Sequence, residues 1–437
     1  MRILLWHGYL LGGTGSNVYT RALAREWSRA GHDVVVVCQE PNPERYDLGG
    51  AKVFRPNIGG LLPVFVLDRY EGLEAKLLQD FTSAERARYV ALNATALCAQ
   101  MPADLVFANH VLLGAPVGYA SGLPFAVKAH GSELEYSMRG NAELSEWAGE
   151  CLGRAEAVFV GSAHIREVLE DVVGHVERVH EVPPGVDVDE FRPNSREAAL
   201  ARLLEEACAD ADNPANSNER QPDEGNAARL ERFFATDEPT VVYFGKLLYN
   251  KGVQVLFEAL RTVGARAVIV GFGDYRQELE SIAPPGTLFT GPLEHRHLVH
   301  LLPLADVSVV PSIFPEAFGM VAAEAAAASV PPLVARHSGL AEVAAEAAAA
   351  GSPPLVARHS GLAEIAEGLE AEYPAAHRHL ASFASGNAAD LAAKLGELLA
   401  LPAEARAELG AAARRAAVQR WSWTSVATRL LEPIGSG

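Results

Sequence analysis

Two glutamates, Glu316 and Glu324, stand eight positions apart in "PEAFGMVAAE", with only small and apolar residues between them. Burying an ionised carboxylate is costly unless something pairs with it or donates a hydrogen bond to it. A carboxylate accepts hydrogen bonds through two oxygens, which suits the vicinal hydroxyls of a sugar or a ribose. A proline and a glycine bracket the start of the stretch, so Glu316 belongs in a loop leading into a helix. Glu324 then lies two turns further on, along roughly the same face. The backbone N–H groups of Phe318, Gly319 and Met320 would point at an anion, because the first turn of a helix leaves its donors unpaired. The alternative is a surface helix with two solvated glutamates, which the alanine-rich neighbours disfavour.

Two further stretches offer positive charge and open backbone. "GKLLYNKG" places Lys246 and Lys251 at a strand end and a helix start, where ligands of α/β proteins sit. Only six of the 37 basic residues are lysines, so a lysine pair departs from the chain's arginine habit. Two ammonium groups there would neutralise a diphosphate; two solvated surface lysines are the alternative. Near the start, "GGTGSN" contains Gly13, Gly15 and Asn17 between a first strand and a first helix. Glycines let backbone approach a ligand, and N–H groups at a helix start favour an anion. The spacing is neither the G-x-G-x-x-G fingerprint nor a loop ending in G-K-[ST]. Phosphate contact and a plain tight turn stay equally open at that point.

The elements that must position these residues follow from apolar runs. "RILLW", "DVVVVCQ", "DLVFANH", "PFAVKAHG", "AVFVGS" and "RVHEVPPG" read as buried strands of one doubly wound α/β domain. "TVVYFGKL", "ARAVIVGFG", "GTLFTGPL" and "ADVSVVPS" repeat the pattern in a second. A chain of 437 residues exceeds one ordinary core, so two domains are expected in any case. Residues 1–192 form the first and 238–414 the second, with 193–237 a polar insertion or linker. A C-terminal helix over 415–434, with Trp421 and Trp423, packs back on the first domain. The second domain contains a tandem duplication, 324–345 followed by 346–367, identical at 18 of 22 positions. One "PPLVARHSGL" should serve as the core strand and loop, and the other should be extruded as a mobile segment.

The composition excludes several partners. A net charge of −18 argues against nucleic acid, although a local basic patch on an anionic membrane stays open. No apolar run is long enough to span a bilayer, and the start reads as a strand and turn rather than a signal peptide. The four scattered cysteines fit a reducing cytoplasm and no disulfide framework. "DVD" at Asp187 to Asp189 imitates a metal motif but falls in a turn, and "HRHLVH" (His295, His297, His300) reads as the polar start of a helix. Metal ligands are therefore not expected.

Taken together, these motifs resemble the retaining, nucleotide-sugar-dependent glycosyltransferases of family 4, over nearly the whole chain. That family's hallmark, a glutamate, seven residues and a second glutamate, is matched by Glu316 and Glu324. Its G-R-x-x-x-x-K-G diphosphate stretch is matched with Lys246 at the arginine's place and Lys251 at the lysine's. "PPGVDVDEFRP", "GFGD" and "ADVSVVPS" also fit. The resemblance implies the GT-B fold, two Rossmann-like domains facing across a cleft, with acceptor contacts in the first and the donor in the second. It implies metal-independent transfer of a hexose to an acceptor hydroxyl, with no cofactor beyond the nucleoside-diphosphate sugar itself. Glu316 would lie near the sugar, Glu324 at the ribose, His130 beside the reacting sugar, and the Asn17 loop over the diphosphate. An epimerase or phosphorylase of the same fold, or a non-catalytic nucleotide-sugar binder, are the alternatives.

Overall fold

The computed structural model describes residues 1–12, 15–65, 73–211, 213, 221–337 and 360–434. Its strands are β1 (Arg2–Trp6), β2 (Asp33–Val37), β3 (Lys52–Phe54), β4 (Leu61–Val64), β5 (Glu74–Leu77), β6 (Leu105–Asn109), β7 (Phe125–Lys128), β8 (Ala157–Val160) and β9 (Val179–Glu181). Then follow β10 (Thr240–Phe244), β11 (Arg266–Val270), β12 (Thr287–Gly291), β13 (Val307–Val310), β14 (Pro332–Arg336) and β15 (Ser382–Ala384). The chain divides into two units, Met1–Gly185 with Trp423–Gly437, and Val186–Ser422.

In the first unit a seven-stranded parallel sheet runs in the order β3-β2-β1-β6-β7-β8-β9. Strand alternation sends residues of β1 into two cores. Ile3 and Leu5 pack with Leu23, Trp27 and Phe107, whereas Leu4 and Trp6 pack with Tyr89, Val106 and Leu112. Burial on both faces is why the strand sequences read as unbroken apolar runs. The helix Gly15–Arg29 buries Tyr19, Leu23 and Trp27, spaced by four, onto one of these cores. Trp27 Nε1 also donates to the carbonyl of Ala427 at 2.9 Å, tying the helix Trp423–Leu431 to this unit.

The second unit has a six-stranded parallel sheet in the order β12-β11-β10-β13-β14-β15. Both sheets thus reverse direction of winding beside a central strand, between β1 and β6 and between β10 and β13. Ligand crevices of doubly wound sheets open at the carboxyl ends of strands at such points.

Three expectations need correction. Residues 193–237 are not merely a linker: the helices Arg196–Cys208 and Asn226–Phe233 bury Ala199, Leu203, Ala207 and Leu230 in the second unit's core. Asp223 from the same segment accepts from both terminal nitrogens of Arg276, at 2.9 and 2.6 Å. Acid-rich composition concealed an apolar stripe of period four. The C-terminal helix over 415–434 is likewise broken. The helix Ala403–Ala416 passes through a wide turn, Ala417–Trp421, to an extended Ser422, and a new helix starts at Trp423. Trp421 is a core residue of the second unit beside Gly368, while Trp423 packs on Gly185 and Tyr19 in the first.

The third correction concerns the duplication, because no single copy supplies both strand and loop. β14 comes from the first copy, and the helix Gly361–Glu372 starts in the second. The 22 positions between, 338–359, equal one repeat period and lie outside the described residues, as does the extruded segment expected from the sequence. Among the described residues, no helix is long and apolar enough to cross a membrane.

Candidate functional site

In the second unit, chemistry gathers where β10 and β13 end. After β10 the chain turns through Lys246 and a tight turn Tyr249–Lys251 to Gly252, with φ +73°. A Cβ on Gly252 would lie 1.9 Å from the Pro311 carbonyl oxygen, so only glycine lets this turn lie against the loop after β13. The Ile313 N–H donates to the Asn250 carbonyl at 3.0 Å and fastens the same contact. The consequence is a cluster: Lys251 Nζ stands 2.6 Å from Glu316 Oε1, and Ser312 Oγ donates to that oxygen at 2.5 Å. Lys251 and Glu316 are both partly exposed, so the pair adds little stability. Its value is placement. Burial, with the Glu316 charge nearby, pushes the Tyr243 phenol up, and its O–H donates to the Lys246 carbonyl at 2.7 Å. The Lys246 residue itself is exposed.

The Glu316 loop is held from behind by the second repeat copy. Its N–H donates to Ser360 Oγ at 3.1 Å, and its carbonyl accepts the Gly361 N–H at 2.8 Å. Phe318 turns its ring inward toward Trp421. Gly319 caps the helix Met320–Ala327 with φ +104°, where a side chain would strike Leu362. Met320 opens that helix, and Glu324 sits within it, half-buried. Burial pushes the Glu324 carboxyl up to about 7, against the opposing charge of His295. His295 in turn bonds Glu190 at 2.5 Å, which raises its pKa, and lies edge-on to Phe191. The neighbouring histidines go elsewhere: His297 is buried 3.1 Å from Asp210, and His300 is half-buried on the same helix. Asp187 Oδ1 accepts the N–H groups of Asp189 and Glu190, both at 3.1 Å, a turn-forming arrangement.

The first unit contributes a separate group of rings. His7 follows β1, His110 follows β6 and His130 follows β7, three adjacent strands. The rings line up, with centroids 5.9 Å apart for His7 and His110 and 4.7 Å for His110 and His130. Asn109 links them to the first helix, its amide donating to Thr20 Oγ1 at 3.0 Å and its oxygen 3.1 Å from His130 Nε2. Burial lowers His7 to about 4 and holds His110 and His130 well below the usual imidazole range, so all three are neutral near pH 7. Glu133, fully buried, accepts N–H groups from Val111, Leu112 and His130 at 2.8 to 3.0 Å. Burial pushes its carboxyl up to about 8 against those donors.

Asn17 does not stand free to cover a diphosphate. Its side chain is buried, 2.7 Å from His7 Nε2 through its oxygen and bonded to the Gly12 carbonyl through its nitrogen. Gly15 opens the first helix with empty space at its Cβ position, and Gly13 lies outside the described residues. Of the residues singled out from the sequence, the fold brings Lys251 and Glu316 into contact; Ser312, Glu190, Ser360, His7, His110 and Glu133 were not singled out there, and His295 was set aside as the polar start of a helix. A signal existed for the histidines, since three apolar strand runs each end within a residue or two of one.

Two family models match the chain: "Glycosyltransferase Family 4" over residues 13–190 and "Glycosyl transferases group 1" over 227–346. Among curated relatives, a D-inositol 3-phosphate glycosyltransferase of Xylanimonas cellulosilytica is 31% identical over 219 residues, 46% of this chain and 47% of that one. The chain thus spans about half the length of that relative. A GDP-mannose-dependent alpha-(1-6)-phosphatidylinositol monomannoside mannosyltransferase of Mycobacterium tuberculosis is 26% identical over 320 residues, 69% of this chain and 67% of that one. In fold, the chain is similar to the crystal structure of Anabaena HepE in complex with UDP and glucose, with a TM-score of 0.64, 16% identity and full coverage of both chains.

Proposed function

Because the chain belongs to the group 1 glycosyltransferases of GT-B fold, we propose that it moves a hexose from a nucleoside-diphosphate sugar to an acceptor hydroxyl, with retention and without a metal. The observation that carries the reading is the convergence of Lys251, Ser312 and Glu316 at the β10/β13 switch point, beside the start of the helix Met320–Ala327.

An ammonium group has three donors. With one on Glu316, Lys251 keeps two for a diphosphate, and Lys246 and the first-turn N–H groups of the helix add to the same field. Negative charge builds on the departing diphosphate, so fixed donors there favour the transition state over the bound donor. Glu316 Oε1 is engaged by Lys251 and Ser312, which leaves Oε2 to orient sugar hydroxyls. Glu324, one turn into the helix, suits the ribose hydroxyl pair. His130, neutral, can hydrogen-bond the reacting sugar without repelling a developing oxocarbenium charge. Retention follows if the acceptor enters on the leaving-group face and a leaving oxygen takes its proton. Glu133 is a poor candidate nucleophile for double displacement, because both its oxygens already accept N–H groups.

The relatives favour UDP- or GDP-linked donors and inositol-type acceptors as the first to try. The test is a binding screen of UDP-, GDP- and ADP-sugars, followed by turnover of the donor that binds. Saturable binding of one donor class and transfer to a hydroxyl acceptor are expected. Failure of every donor to bind would sink the reading.

A further inference from the structure

The helix Met320–Ala327 carries Glu324 but has poor means of holding itself in place. It is eight residues long, too short to be stable alone. Its buried residues are alanines, whose side chains interlock little with neighbours. At the N-terminal end the Gly319–Leu362 and Phe318–Gly361 contacts fix it. At the C-terminal end, anchorage comes from the helix Ala403–Ala416. Gly410 of that helix approaches so closely that a Cβ would lie 2.2 Å from the Ser329 carbonyl oxygen. Arg414, four residues on and hence on the same face, reaches across the gap that Gly410 closes.

The Arg414 guanidinium donates to three carbonyls. One is Ala327 at the end of the Glu324 helix; the others are Val188 at 3.1 Å and Phe191 at 3.0 Å. The Val188–Phe191 segment includes Glu190, the partner of His295, and His295 is the charged group set against Glu324. The helix carrying Glu324 and the segment securing its histidine neighbour therefore share one side chain as a common tie. A lysine could not replace it, since an ammonium lacks the planar fork that reaches three acceptors in fixed directions.

We propose that Arg414 is a positioning residue for donor binding, holding Glu324 in register to receive the ribose hydroxyls of a nucleoside diphosphate. The inference rests on the ribose role given to Glu324 above. Arg414 touches no substrate; it acts through the helix.

The experiment measures Kd by calorimetry for UDP, GDP and ADP, takes the tightest, and repeats the titration with its 2′,3′-dideoxy analogue. The ratio of the two reports the ribose hydroxyls alone. Loss of a charged hydrogen-bond partner should make that ratio roughly ten- to a hundredfold in the unaltered protein. In Arg414→Ala the ratio should collapse to within about threefold of unity, with Arg414→Lys giving only partial recovery, while the dideoxy nucleotide still binds as before. A general loss of structure would instead weaken both nucleotides together and leave the ratio intact. Thermal melting alongside accounts for stability. An Arg414→Ala protein that keeps the full ratio overturns the proposal. If the unaltered protein itself fails to discriminate, the ribose role of Glu324 fails instead, and the two failures are distinguishable.

Discussion

Gly361→Ala and Gly339→Ala are the same substitution in two nearly identical repeat copies, yet they should differ sharply. A Cβ on Gly361 would lie 2.2 Å from Phe318 Cα, 2.5 Å from its nitrogen and 2.6 Å from the Ala317 carbonyl oxygen. Ordinary carbon contacts are about 3.5 Å or more, so the overlap is on the order of 1 Å, against backbone that has no rotamer to yield. Overpacking of this kind costs about 1–3 kcal/mol. In a unit of about 150–250 residues that corresponds to a melting shift of about 2–4 °C per kcal/mol. The larger effect is on turnover. Gly361 N–H is bonded to the Glu316 carbonyl, so the displacement passes into the residue placed nearest the sugar. A shift of about 1 Å at a reacting group can cost about a hundredfold in rate. The assay is melting by calorimetry and turnover of the donor that binds, for each variant. Gly339→Ala serves as the control and should match the unaltered chain in both. A chain lacking residues 338–359, which joins His337 directly to Ser360, should also fold and bind donor, and Gly361→Ala should remain damaging in it. Equal effects of the two alanines, or damage from Gly339→Ala alone, would refute the assignment of Gly361 to this contact.

Three other outcomes test the site. Glu316→Ala should remove most of the turnover, while Glu324→Ala should mainly weaken donor binding by roughly ten- to a hundredfold, read as kcat against Kd. For pH, the Glu324 carboxyl is raised to about 7, above its unfolded value, so the proton it holds favours the folded state below that range. That contribution to stability is lost as pH rises toward and through about 7. Nucleotide affinity should run the opposite way, rising through the same window as the carboxylate forms, and Glu324→Gln should flatten the rise. Chelator-treated protein should turn over at an unchanged rate; strict dependence on Mn²⁺ or Mg²⁺ would return attention to Asp187 and Asp189, which serve as a turn in this fold.

What the sequence disclosed depended on how far each feature is written locally. β1, β2, β6, β10 and β11 are mainly apolar runs because both sheet faces are covered, and no packing knowledge was needed to find them. β3, β4, β5 and β15 are three or four residues long, with little or no period to read. Glu316 and Lys251 were each legible from their neighbours, but their 2.6 Å contact was not. It exists because β13 pairs with β10 rather than with β12, a non-local choice that brings residues 65 positions apart together. Asn17 is the opposite case. Its local setting, a glycine turn at a helix start, suggests an anion, and only the fold reveals that His7 already claims its oxygen.

The duplication shows why composition and period alone do not decide structure. With 18 of 22 positions shared, the two copies offer the same strand and the same Ser-Gly-Leu turn, and local energetics scarcely separate them. What separates them is attachment. β14 follows the helix Met320–Ala327 through a turn at Ala328 and Ser329, and the Val330 N–H closes onto the Ala325 carbonyl at 2.9 Å. The first copy is the one covalently placed to make that turn. The helix Gly361–Glu372 leads without interruption to Tyr373, whose ring is buried in the core, so the second copy is the one covalently placed to supply the helix. Each end of the repeat is thus chosen by what it is joined to, and the one-period surplus falls between them. Ser360 and Gly361 complete the Glu316 loop for that reason: of two identical Ser-Gly pairs, theirs opens the helix that the rest of the domain requires.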